Sequence, residues 1–155
     1  MKRLLLTAYG LCTDEIKEAF YKLLPENFSD FRVVIVTTSQ PKLKEKHPQM
    51  ISVKCTFHEM GFESVDFIDI EFEDSNKLQN YDIIFLNGGY PFYLMHHLKK
   101  TGTNFKEHCS IYPDFAEKIL EFESKYNCEV TRLNNNQAIL VLGDKLEYIE
   151  MGILT

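Results

Sequence analysis

A diglycine, Gly88-Gly89, follows the apolar run 83–86 after a single asparagine, Asn87, and Pro91 comes two residues later. At the carboxyl end of a strand in an open α/β sheet, such a pair lies where ligands bind. The competing reading is a tight strand-to-helix turn that needs positive φ, and without a nucleophile nearby this structural reading is the expected one. His108 has the chemistry of a general base, but a base needs a proton to take. Ser110 stands two residues on with no strand before it, and the adjacent Cys109 has no flanking glycines. A thiolate nucleophile there would lack the elbow that presents it.

The remaining titratable groups read as structural. His96 and His97 are adjacent on a helix and point about 100° apart, which suits one metal badly. Cys55 and His58 are three residues apart and offer two ligands, which is not a site. Core packing is expected for both pairs. The acidic stretch Asp66, Asp69, Glu71, Glu73 and Asp74 lacks the glycine and spacing of a calcium loop, so a solvated edge is expected rather than a Mg²⁺ or Ca²⁺ site. The Lys-rich run 42–46 contains Glu45 and reads as a solvated loop or helix start. Asn134-Asn135-Asn136 suits left-handed turn geometry before a strand. The four cysteines form no C-x-x-C pair and no metal-ligand spacing with the five histidines, so neither metal nor cofactor is expected.

The elements that would position these groups alternate. Residues 3–8 form an apolar first strand, too short for a signal sequence. A helix follows, with Thr13 as N-cap, Asp14 and Glu15 in its first turn, and Ile16, Ala19, Phe20 and Leu23 on one face. Residues 33–37 are a continuous β-branched strand, as in a sheet covered on both faces. A helix over 48–60 buries Met50, Val53, Phe57 and Met60 and stops at Gly61. Strand 65–70 carries Asp66 and Asp69, which places it near an edge. Strand 82–86 runs into Asn87-Gly88-Gly89, and Pro91 opens a helix with Leu94, Met95 and Leu98 inward, ended by Gly102. This order argues for a parallel sheet.

The pattern then breaks. Residues 101–112 hold no apolar run, and the next element is a helix over 113–126 with Phe115, Ile119, Phe122 and Tyr126 on one face. Strand 138–142, a turn at Gly143-Asp144 and a strand around 146–149 close the chain. Two helices in succession imply that a strand is missing between them. With 155 residues, 45% hydrophobic and 26% charged, the composition is that of one globular domain rather than a disordered chain. A net charge of −6 without a basic cluster argues against a nucleic-acid partner, and no run is long enough to span a membrane. A cytoplasmic protein with reduced thiols is expected.

Four segments in order resemble the peptidase E (aspartyl dipeptidase) family, of the class I glutamine amidotransferase-like fold. They are Leu4-Leu5-Leu6-Thr7-Ala8-Tyr9-Gly10, Val36-Thr37-Thr38-Ser39, Ile84-Phe85-Leu86-Asn87-Gly88-Gly89 with Leu94 and Lys99-Lys100-Thr101-Gly102, and Asn135-Asn136-Gln137-Ala138-Ile139-Leu140-Val141. The resemblance implies a three-layer α/β sandwich, flavodoxin-like, with a mostly parallel sheet. It also implies hydrolysis of short peptides that begin with aspartate, by a serine at a strained Gly-x-Ser-Ala-Gly elbow, a histidine base and backbone N–H groups that hold the oxyanion. His108 matches the histidine position and Gly88-Gly89 the oxyanion turn. The sequence departs at Tyr90-Pro91, where the family has Asn-Thr, at Glu107, where it has proline, and above all in having no Gly-x-Ser anywhere. Three expectations follow: a relative without serine peptidase activity, an active hydrolase whose elbow belongs to the gene but not to this sequence, or a binding or homo-oligomerising module whose unpaired edges invite a partner chain.

Overall fold

The computed structural model describes residues 3–8, 10–100, 109–110, 116–127, 132–133 and 137–150. His108, Gly102, Tyr112-Pro113, Phe115 and Asn134-Asn135-Asn136 lie outside the described residues, as do the side chains of Cys109, Ser110, Phe122 and Tyr126. The chain divides into two compact units, Leu24–Phe105 and a second built from Met1–Leu23 with Lys106–Thr155.

In the unit 24–105, three strands form a parallel sheet of order β3-β2-β4: β2 (Arg32–Val36), β3 (Ser64–Ile68) and β4 (Ile83–Leu86). The run Val33, Val34, Ile35 and Val36 is wholly buried because it forms the middle strand, paired on both sides. Successive residues of a strand face opposite ways. Val34 and Val36 therefore pack with Leu94 and Leu98 of α3 (Pro91–Lys100), in a cluster with Ile68, Ile70 and Leu78. On the other face lies α2 (Pro48–Glu59), whose Phe57 meets Phe85 of β4 edge-on at 5.5 Å between ring centroids. Phe62 meets the same Phe57 edge-on at 5.7 Å between ring centroids. This unit is thus helix, sheet, helix. Gly61, at φ +98°, turns the chain out of α2 as its sequence requires. Strand β3 stands at the edge, where Asp66 and Asp69 suggested it would be. Within α2, Met50 and Phe57 are fully buried while Val53 is half-buried.

The second unit differs from the sequence expectation in its pairing. Strand β1 (Arg3–Thr7), expected to open a parallel sheet, runs antiparallel to β7 (Gln137–Leu142), which pairs antiparallel with β8 (Lys145–Glu150). The order is β1-β7-β8, and β7 is the buried centre while β1 is only half-buried. Gly143, at φ +61°, makes the tight turn between β7 and β8. Leu4 and Leu6 pack with Ile139, Val141 and Leu133. Helix α1 (Asp14–Tyr21) is capped by Thr13, whose Oγ1 accepts the Ile16 N–H at 3.4 Å, and its inward face is Ile16, Ala19 and Phe20.

A strand does stand between α3 and α4 (Ala116–Tyr126), contrary to the expectation of two helices in succession. Strand β5 (Cys109–Ser110) pairs parallel with β6 (Arg132–Leu133), an element the sequence also did not suggest. Two-residue strands carry no alternation to read, and Cys109-Ser110 is not an apolar run. Of the helix face proposed for α4, Ile119 is buried as expected.

Candidate functional site

Parallel strands align their carboxyl ends, so the loops after β2, β3 and β4 meet at one end of the sheet. After β2 come Thr37, Thr38 and Ser39, all buried despite their hydroxyls. Each hydroxyl is satisfied. Thr37 Oγ1 donates to Ile68 O at 3.2 Å, and Thr38 Oγ1 donates to Asp69 Oδ1 at 2.7 Å while accepting the Ile70 N–H at 3.0 Å. Ser39 Oγ donates to Gly88 O at 3.1 Å. The loop after β2 is thereby stitched to those after both neighbouring strands.

The diglycine turn lies against this loop. Gly88 O also accepts from Gln40 Nε2 at 3.2 Å and from Asn87 Nδ2 at 2.9 Å, and the Tyr90 N–H donates to Ser39 O at 2.8 Å. Gly89 sits at φ +146°, and a Cβ there would meet Ser39 O at 2.5 Å and Gln40 Nε2 at 2.7 Å. Gly88 has nothing within 4 Å of where its Cβ would be. The need for glycine at this turn is therefore steric at Gly89 and absent at Gly88.

Beside the turn is a charge cluster that sequence reasoning missed. The Lys44 ammonium lies between Asp69 Oδ2, at 2.7 Å, and Glu71 Oε2, with less than a fifth of the lysine side chain exposed. Tyr93, from the first turns of α3, donates its hydroxyl to Glu71 Oε1 at 2.6 Å. The rings of Phe72 and Tyr93 lie 5.2 and 5.9 Å from the ammonium. Burial is the largest single influence on Lys44 and favours the neutral amine, but hydrogen bonds and charge from Asp69 and Glu71 together hold its pKa above 10.5. Burial likewise favours a protonated Asp69, yet Lys44, Thr38 and the Glu71 N–H outweigh it and hold the carboxyl below its ordinary value. Glu71 is lowered chiefly by Lys44 and then Tyr93, and Tyr93 is raised chiefly by Glu71.

The acidic stretch therefore divides instead of forming one solvated edge. Asp66 turns to the Tyr81 hydroxyl at 3.1 Å and to Arg32 at 3.9 Å. Asp69 and Glu71 take Lys44. Glu73 takes Lys77 at 3.0 Å and the Asp69 N–H at 3.1 Å, and Asp74 caps the turn that follows by accepting the Asn76 N–H. Lys44 is likewise no solvated side chain. Among the described residues no group of three His, Cys, Asp or Glu could hold a metal ion. Core packing holds for His97, which is buried against the Tyr93 ring, but His96, Cys55 and His58 are exposed. The loop signal that could have revealed Lys44 is weak: two carboxylates on alternate positions just after a strand, and a lone basic loop before the next helix.

The unit 24–105 is thus an α/β unit with a parallel sheet and a helix on each face, and its candidate site is marked by buried hydroxyls, a diglycine and a lysine–carboxylate cluster. No protein-family model matches the chain, and neither does any curated protein. Among solved structures it is similar to a "Putative Peptidase E Protein" from Listeria monocytogenes EGD-e, with a TM-score of 0.68 and 18% identity over 98% of this chain and 100% of that one. At that identity the likeness is one of fold, and the chain has a peptidase E-like α/β fold. Because the match spans nearly the whole chain, it lends no support to a missing strand and elbow, and the lack of a Gly-x-Ser segment rests on the sequence alone.

Proposed function

We propose that this chain is a single peptidase E-like domain, a three-layer sandwich, that no longer hydrolyses peptides through a serine. The observation that carries this reading is the absence of Gly-x-Ser from the whole sequence of a chain whose fold matches a peptidase E-like structure end to end. Every hydroxyl at the carboxyl end of β2 supports it too, since Thr37, Thr38 and Ser39 are buried and spent on structural hydrogen bonds. A serine whose proton is directed at a backbone carbonyl has no base to take it. Gly88 and Gly89, the turn that would hold an oxyanion in the family, act here as the seat of the loop after β2. His108 is the residue left in the position of the family's base.

In this reading the carboxyl ends of β2, β3 and β4 form a binding end, and short peptides beginning with aspartate are the ligands to try first. Cys12 and Cys55 are free and exposed, which favours a reducing compartment such as the cytoplasm. The test is hydrolysis of an Asp-Xaa dipeptide by purified protein, run beside His108→Ala and Cys109→Ala. No turnover above background in any of the three is the expected result. Turnover that either substitution abolishes would show a nucleophile at work and overturn the reading.

A further inference from the structure

Between β2 and α2 the chain runs as residues 40–47, starting from Gln40 on the diglycine turn, and none of these residues is buried. A segment with no buried apolar side chain is held by its polar fastenings or not at all. There are two. Gln40 lies on the turn, with Nε2 donating to Gly88 O at 3.2 Å and standing where a side chain on Gly89 would be. Lys44 reaches from the middle of the segment to Asp69 and Glu71, its ammonium flanked by Phe72 and Tyr93. Its backbone is at φ +51°, the left-handed region that a residue with a Cβ enters only at a cost. The Lys44 N–H donates to Gln40 O at 2.9 Å, which joins the two fastenings.

We propose that residues 40–47 are a strap across the diglycine turn and that Lys44 is its latch. The clamp on the ammonium offsets the left-handed backbone; with the clamp gone, that backbone strain works toward opening. Opening lifts Gln40 from Gly88 and uncovers Ser39, which is fully buried when the strap is shut. A ligand reaching the carboxyl ends of β2 and β4 then meets a gate set by one ion-pair cluster. This holds whether the domain hydrolyses its ligand or only binds it, so it stands or falls separately from the absence of serine chemistry.

Amide hydrogen exchange tests it, with peptides covering 40–47 and 87–90 compared against peptides covering β2, in the native protein and in Lys44→Gln, Lys44→Gly and Lys44→Arg. Lys44→Gln removes the charge, and Lys44→Gly also removes the backbone strain while leaving Asp69 and Glu71 without their cation. Both are expected to speed exchange in the strap and turn with β2 unchanged, Lys44→Gln by about tenfold or more and Lys44→Gly by less, since both lose the fastening but only Lys44→Gln keeps the strain. Lys44→Arg, which keeps a cation for two carboxylates, is expected to stay within about threefold of the native rates. Unchanged strap exchange in Lys44→Gln and Lys44→Gly would overturn the latch. Equal acceleration in β2 would overturn it as well, since the lysine would then be holding the whole unit together.

Discussion

At the scale of single residues, the two glycines of the turn look alike in sequence and differ in their surroundings. Gly89 combines φ +146° with a carbonyl 2.5 Å from where a Cβ would sit, whereas Gly88 faces open space. Gly89→Ala must shift Ser39 O, which accepts the Tyr90 N–H, and also push the Gln40 side chain off the turn. It is expected to destabilise the protein by about 2–3 kcal/mol, as strain at a special backbone position does, and Gly88→Ala by less than about 1 kcal/mol. Urea unfolding of both variants checks this, and equal effects would refute the steric account. Lys44 marks where sequence reading stops. Its partners Asp69 and Glu71 are 25 and 27 positions away, and a lysine in a charged run reads as solvated whenever no local spacing betrays a partner. Only the pairing of β2 with β3 brings them together, and no helical or strand period encodes that encounter.

Periodic signals made the longer elements legible. The cap at Thr13, the stop at Gly61, the proline opening α3 and the buried run of β2 each have a local physical cause, and each appears where the sequence put it. Strands β5 and β6 were missed because two residues cannot alternate, and β1 was expected in a parallel sheet because an apolar run does not state its direction. Helix α2 offers a direct check on which face was read correctly. Phe57 is fully buried between Phe62 and Phe85, while Ile51, two turns earlier, is half exposed. Phe57→Ala should cost about 3–5 kcal/mol, the range for a buried aromatic that leaves a cavity. Ile51→Ala on the outer face should stay within about 0.5 kcal/mol. Comparable losses in chemical denaturation would mean that α2 packs through a different face.

Across the whole molecule, the perturbed groups fall into two sets that bound stability from opposite sides. Glu15, Asp69, Glu71 and Glu73 all have lowered pKa values, so the unfolded chain binds protons before the folded one as pH falls. Their contribution is complete above their ordinary values of 3.8 to 4.5 and is lost on further acidification. Lys44, Tyr81 and Tyr93 have raised values, so the folded chain keeps protons that the unfolded one releases. Their contribution is complete below their ordinary values of 10.0 to 10.5 and falls as pH rises past them. These groups together give a urea midpoint that is flat between about pH 5 and 9 and declines on both sides. Lys44 links the two limbs, because it is both the alkaline group and the cause that lowers Glu71 and helps to lower Asp69. Lys44→Met should therefore reduce the midpoint on the plateau and also make the acid decline shallower, since two of the four carboxylates lose the cation that kept them ionised. A variant with a lower plateau but an unchanged acid slope would mean that Asp69 and Glu71 are held down by Thr38, Tyr93 and backbone N–H groups alone, with Lys44 a passenger in the cluster.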